Sequence, residues 1–274
     1  MSWGLLTSRS RLRTVDAGAA AAQVEALGFD TLWVADPRED LPLLDEVLAA
    51  TTTLRAATAV LSVWAPPAGA VADWWSVLPE QQQERVLLGL GVSHALLVPQ
   101  YEKPMAAMTA YLDRLDAAGV PAAARVLGAN GPRMVELAGR RAAGTLTYLT
   151  MPERTAAQRA ALGPQPRIAA EVKVVVTDDR AEGRSLARAH LATYLGLPNY
   201  LGNLRTMGFT DEDLTPPGSD RLVDALVLQG AAAALERAAE HRAAGADAIA
   251  LHALSATGLP RDAWRELAAQ AGAV

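Results

Sequence analysis

The chain alternates short apolar runs with longer amphipathic stretches. Trp3 to Ser8, WGLLTS, is apolar and ends on polar residues, which predicts a first strand. An alanine-rich segment follows, with Thr14 placed as its N-cap and Gly28 just past its C-terminus, so a helix is expected between them. Thr31 to Asp36, TLWVAD, repeats the strand form and finishes on a carboxylate. Leu41 to Thr51 reads as a helix, Leu54 to Trp64 as a third strand stopped by Pro66 and Pro67, and Ala70 to Gln83 as a further helix. Val86 to Gly91, inside RVLLGLGVSH, is the fourth strand.

The same rhythm continues. Pro104 opens a helix whose Met105, Met108, Leu112 and Leu115 fall at three- and four-residue spacing, and Gly119 closes it. Ala124 to Gly128 is a fifth strand, Pro132 to Arg141 a helix, Thr145 to Thr150 a sixth strand, and Pro152 starts another helix. Arg167 to Val176 is the seventh strand and Asp247 to Leu254 the eighth, with Pro260 to Ala271 as the closing helix. Between the last two strands lie helical stretches at Asp179 to Tyr194, Leu197 to Phe209 and Ala231 to Ala244, far more chain than the few residues of an ordinary βα connection. Eight strands, each followed by helix, predict an α/β fold of the (β/α)8 TIM-barrel type, read as one domain over residues 1–274 with a helical insertion at about 178–245. An open dinucleotide-binding sheet would carry a glycine-rich loop after its first strand, and WGLLTSRSR has one glycine.

Composition narrows the function classes. A formal charge of −5 supplies no basic field for nucleic acid or anionic lipid. With no cysteine there are no disulfides, thiolate nucleophiles or Cys-ligated metals, which fits a cytoplasmic protein. No apolar run is long enough to span a membrane, and the N-terminal stretch is too short for a signal-peptide core. Phosphate-loop, HExxH, GxSxG and calcium-loop motifs are absent, and no metal site is expected.

In a barrel the chemistry sits at the C-terminal strand ends, here Thr7 and Ser8, Asp36, Ser62 with Trp64, Ser93 with His94, Asn130, Tyr148 with Thr150, Thr177 and His252. Strands end in polar turn residues in any case, so each of these has a plain alternative reading. Gly89 and Gly91 share one face of the fourth strand, leaving room either for a flat ligand or for a neighbouring side chain. His94 is the candidate proton-handling group, with a buried structural role as the alternative, and Asp36 is placed for one half of an acid/base pair. Gly128 to Arg133, GANGPR, runs into a proline-started helix and is the anion-site candidate. His190 and His241 lie among charged neighbours in helical segments and are read as solvent-facing.

Several stretches in order resemble the luciferase-like monooxygenase superfamily of TIM barrels, and more closely its coenzyme F420-dependent oxidoreductases. They are EALGFDTLWVAD, TAVLSVWA, RVLLGLGVSH, KPMAAMTAYLDRLDAAG, LGANGPRMVELAGRRAAG, YLGLPNYLGNLRTMGF and AAGADAIALHAL, covering nearly the whole chain. The resemblance implies a deazaflavin ring on the barrel rim, over a strained peptide matching Ser62-Val63-Trp64, with Gly91, Ser93 and Tyr148 beside it. It implies phosphate contacts from Gly128, Ala129, Asn130, Gly131 and Arg133. The expected activity is hydride transfer between F420 and a small organic substrate by a homodimer. An FMN-dependent monooxygenase of the same superfamily and a catalytically silent flavin-binding barrel or partner subunit are the alternatives. Two departures bear on activity: Asp36 is followed by Pro37 where some relatives have histidine, and the loop ALLVPQYEKP is shorter than the subgroup's.

Overall fold

A computed structural model of the chain describes residues 2–99, 101 and 103–272, so Gln100 and Glu102 of the ALLVPQYEKP loop lie outside the described residues. Its strands are β1 (Ser2–Ser8), β2 (Thr31–Ala35), β3 (Arg55–Thr58), β4 (Leu61–Ser62), β5 (Val86–Gly91), β6 (Arg125–Gly128), β7 (Gly144–Thr147), β8 (Arg167–Val175), β9 (Val227–Gln229) and β10 (Ala248–Ala253). All pair in parallel in the order β10-β1-β2-β3-β5-β6-β7-β8, and β10 returns to β8. The sheet is therefore a closed eight-stranded barrel, as the βα count predicts. β4 continues β3 along β5, and β9 is a short outrigger on β8.

The helices are α1 (Arg9–Leu12), α2 (Ala17–Ala26), α3 (Pro42–Ala49), α4 (Ala68–Val77), α5 (Glu80–Gln83), α6 (Pro104–Ala117), α7 (Pro132–Arg141), α8 (Pro152–Leu162), α9 (Arg180–Leu195), α10 (Pro198–Thr206), α11 (Asp211–Leu214), α12 (Asp220–Leu226), α13 (Ala231–Ala243) and α14 (Arg261–Ala271). Alternate residues of each strand divide between two cores because successive side chains point to opposite faces. Leu6, Trp33, Ala57, Val126, Leu146, Ala169 and Ala250 fill the barrel interior, while Leu5, Leu32, Leu88, Leu127, Val172 and Leu251 meet the surrounding helices. A separate apolar cluster, with Leu191, Leu195, Leu204, Phe209, Leu222 and Val223 in it, holds α9 to α12 together beside the barrel. On the outer side of that unit Arg184 pairs with Asp220 and Asp224, Arg180 with Asp224, and Arg188 with Asp220.

Local details depart from the expectations for physical reasons. Asp16, not Thr14, caps α2, its carboxylate accepting the Ala19 N–H at 2.9 Å; Thr14 donates instead to the Arg11 carbonyl at 2.7 Å. Ala70 to Gln83 is two helices, because Leu78 and Pro79 are extended and Pro79 starts the second. The apolar run Leu54 to Trp64 is broken: a cis Ala59–Val60 peptide separates β3 from β4, and Trp64 lies in the turn beyond. The unusual peptide thus precedes Ser62-Val63-Trp64. The sixth strand ends at Thr147, so Tyr148 and Thr150 lie in the following loop.

Candidate active site

A cleft of about 1260 Å³ opens at the C-terminal mouth of the barrel. Arg9, Asp36, Arg38 and Asp40 border one side, Ser62, Trp64, Ser93 and His94 the floor and far wall, and Thr193, Tyr194 and Leu197 of the insertion the remaining side. Of the residues singled out in the sequence, Asp36, Ser62, Trp64, Ser93 and His94 meet here. Asp36 is exposed and in a left-handed conformation (φ 45°), turned towards Arg38 Nε at 3.2 Å. Trp64 Nε1 donates to the Val92 carbonyl at 2.6 Å, which binds the turn after β4 to the end of β5. His94 packs its ring 5.1 Å from that of Tyr200; its Nδ1 is buried without a hydrogen-bond partner among the described residues, and burial lowers its pKa.

Gly89 and Gly91 make room for protein. A Cβ on Gly89 would stand 1.9 Å from the Thr58 carbonyl oxygen, and one on Gly91 would stand 2.3 Å from Val60 Cγ2. Val60 also lies 3.2 Å from the Cβ position of Gly128, so β5 and β6 both close around this one side chain. Of the two readings open from the sequence, packing against a neighbour is the one the geometry bears out. Val63 is turned towards the outer core, and its N–H is taken by the Gly91 carbonyl at 2.9 Å.

The GANGPR loop stands on the same end of the barrel but does not border the cleft. Gly131 caps α7 in an extended conformation (φ −89°) with no side-chain cap, and Arg133 is exposed. Asn130 Nδ2 donates to the Tyr148 carbonyl at 3.3 Å, while its Oδ1 is buried without a partner among the described residues. Ala129 is buried, and its carbonyl accepts from Gln158 Nε2 at 2.8 Å.

Between that loop and the cleft lies a polar cluster which sequence reading mostly missed. Glu171 and Lys173 of β8 share the inward face and pair with each other, each side chain 1% exposed. Glu171 also accepts from the Leu149 N–H at 3.3 Å and faces His252 Nδ1 at 2.9 Å. Burial works against the charged carboxylate, but Lys173 and His252 outweigh it and hold Glu171 at about 2. Burial brings Lys173 down to about 8 despite that partner, and lowers His252 as well. The Lys173 ammonium lies 3.5 Å above the Tyr148 ring, whose hydroxyl meets Tyr194 Oη at 2.7 Å and His190 Nε2 at 3.3 Å. Burial, joined by Lys173 and His252, drops His190 to about 2, so this imidazole is neutral.

His190 and His241 are therefore not solvent-facing. His190 packs edge-on against His252 with centroids 5.2 Å apart, and His241 is 0% exposed, its Nδ1 2.9 Å from Thr155 Oγ1. His252, at the strand-end position read from the sequence, is buried against Glu171 and does not line the cleft. The signal for the others was present: Ala187, His190, Leu191 and Tyr194 recur at helical spacing, and an apolar strand holding one acid and one base two residues apart puts both on one face.

No protein-family model matches the chain, and no curated protein matches it. Solved structures do. The coenzyme F420-dependent tetrahydromethanopterin reductase of Methanopyrus kandleri superposes with a TM-score of 0.75 at 15% identity, over 98% of this chain and 97% of that one. An F420-dependent secondary alcohol dehydrogenase in complex with an F420–acetone adduct gives 0.73 at 13% identity, over 98% and 97%. The oxygenating constituent of 3,6-diketocamphane monooxygenase from Pseudomonas putida, in complex with FMN, gives 0.71 at 14% identity, over 98% and 96%. The chain thus shares the barrel fold of these F420-dependent and FMN-binding enzymes.

Proposed function

We propose that the chain is an oxidoreductase that holds coenzyme F420 in the cleft and moves a hydride between it and a small organic substrate. The observation carrying this reading is the cleft itself, a space of about 1260 Å³ at the catalytic end of a barrel, bordered by Ser62, Trp64, Ser93 and His94. Its size suits a tricyclic ring together with a small substrate. Val60 gives the cleft an apolar lining, and Ser62, Ser93 and His94 border it as polar residues. The N-terminus of α7, capped by Gly131 and flanked by Arg133, is the place for the phosphate end, reached along the rim outside the cleft. When bound, the deazaflavin supplies the hydride; the chain positions the ring, excludes water and handles the accompanying proton.

An FMN-dependent monooxygenase is the second reading, favoured by the FMN-bound neighbour of the same fold. Titrating the purified chain with oxidised F420 and with FMN, following ligand fluorescence and binding heat, distinguishes the two. Absence of quenching and heat with both removes the proposal. With the preferred cofactor, Arg133→Ala should weaken binding by about tenfold, the worth of one charge-assisted hydrogen bond.

A further inference from the structure

We propose that Tyr194 is the group that exchanges a proton with whatever reacts in the cleft, and that Tyr148 and His190 refill it through a line of hydrogen bonds. This rests on the oxidoreductase reading, since a hydride arriving at or leaving a substrate carbon requires a proton to move at the attached heteroatom.

Tyr194 borders the cleft, whereas Tyr148 and His190 do not. Its hydroxyl lies 2.7 Å from Tyr148 Oη, which lies 3.3 Å from His190 Nε2, so the three groups form one connected path leading away from the cleft. The path is held from several sides. Tyr148 follows β7 and is pinned under the Lys173 ammonium; His190 and Tyr194 stand four residues apart on one face of α9; His252 of β10 closes behind His190. The charged and titratable groups facing this path are Lys173 and Glu171 of β8, His252 of β10, Arg11 of α1, Asp36 after β2, and Tyr200 of α10, whose ring packs 4.9 Å from Tyr194.

The surroundings of His190 select the manner of relay. Burial first, then Lys173 and His252, oppose an imidazolium more than Glu171 favours one, so the ring works as a neutral carrier. As the Tyr194 hydroxyl gives its proton to the substrate heteroatom, the Tyr148 proton moves to Tyr194 and the His190 Nε2 proton to Tyr148. His190 then takes one proton at Nδ1, ending as the other neutral tautomer. One proton enters and one leaves, and the net charge of the path is unchanged. Hydride addition to a carbonyl carbon, with the π pair moving to oxygen, fits this balance; the reverse sequence serves alcohol oxidation. Burial pushes Tyr194 up to about 12, so it stays protonated at neutral pH and acts as a donor.

Two kinds of measurement test the assignment. With ¹⁵N-histidine and ¹³Cζ-tyrosine labelling, the chain without cofactor should show His190 neutral down to pH 5. Its Nε2 shift should move in Tyr148→Phe, and the Tyr194 signal should move in the same variant. Unmoved His190 and Tyr194 signals in Tyr148→Phe overturn the path whether or not the cofactor reading holds. The second measurement follows consumption of reduced F420 with cyclohexanone and acetone as acceptors. Tyr194→Phe should bind oxidised F420 within about twofold of wild type yet lose roughly 100-fold or more in kcat. Tyr148→Phe should retain more activity and show a larger solvent isotope effect. Wild-type turnover kept within about threefold by Tyr194→Phe overturns the role of Tyr194. Failure of the wild-type chain to bind F420 or FMN sinks the oxidoreductase reading instead, and the labelling comparison still decides the path.

Discussion

Removing Lys173 tests how the barrel mouth carries its buried charge. In Lys173→Met the aliphatic stem is replaced and the ammonium lost, leaving Glu171 enclosed with 1% of its side chain exposed. Breaking a buried ion pair by deleting one partner costs about 3–5 kcal/mol. The lower end applies here, because Glu171 keeps the Leu149 N–H at 3.3 Å and His252 at 2.9 Å. At about 3 kcal/mol, and 2–4 °C per kcal/mol for a chain of this size, the melting temperature should fall by roughly 6–12 °C at pH 7. The sign with pH follows from the carboxylate. In the wild type Glu171 sits at about 2, below its ordinary value of 4.5, so its contribution is complete above pH 4.5 and is lost as pH falls towards 2. In the variant its pKa rises above 4.5, so the variant loses stability as pH climbs through that value. The deficit should thus be smaller at pH 4 than at pH 5.5 and largest near pH 7; Lys173 itself discharges at about 8, so the comparison stops below that. Thermal melts by circular dichroism at pH 4, 5.5 and 7 measure it, with the double variant E171Q/K173M expected to recover part of the loss. A K173M melting temperature within about 2 °C of wild type at pH 7, or a double variant less stable than K173M, would refute the reasoning.

Three further outcomes follow from the packing. Gly91→Ala drives a methyl group into Val60 and should cost about 1–3 kcal/mol, while adding Val60→Ala should restore much of it in urea melts; an unaltered Gly91→Ala midpoint counts against the packing. Asp16→Ala should lower stability by about 1 kcal/mol for loss of the α2 cap, and by more than Thr14→Ala does, a ranking readable from the same melts. Glu25 is held at about 2: burial opposes its charge, but N–H groups of Thr52, Thr53 and Leu54 and the Thr53 hydroxyl outweigh it. Its contribution is present above pH 4.5 and lost towards pH 2, so in urea melts Glu25→Gln should fall furthest below wild type above pH 4.5 and approach it towards pH 2.

The barrel was legible because strands buried on both faces are written as unbroken apolar runs, and TLWVA, VLLGLG and RIAAEVKVV stand out between amphipathic helices. The break at Ala59–Val60 was not legible, since TAVLSVW has the composition of one continuous strand. Five of the cleft residues could be found because strand ends converge on one rim of such a fold. The polar cluster was missed for a different reason. His190 and His241 were judged by their neighbours along the chain, which are charged, and not by their neighbours on the helix face. At that spacing His241 follows Ala234 and Ala238, and His190 stands with Ala187 and Tyr194. Glu171 and Lys173 were absorbed into a strand that was easy to recognise, where a period of two would have set them side by side.

The ion ladder on the outside of α9 has a consequence for the aromatic wall on its inside. Arg180, Arg184 and Arg188 repeat every fourth residue and meet Asp220 and Asp224, while His190 and Tyr194 lie on the adjoining flank. Each residue turns an α-helix by about 100°, so a single insertion or deletion within α9 would swing both sets out of alignment together. The surface arginines thus act as an index mark for the helix, specifying its angular setting from the face that meets Asp220 and Asp224.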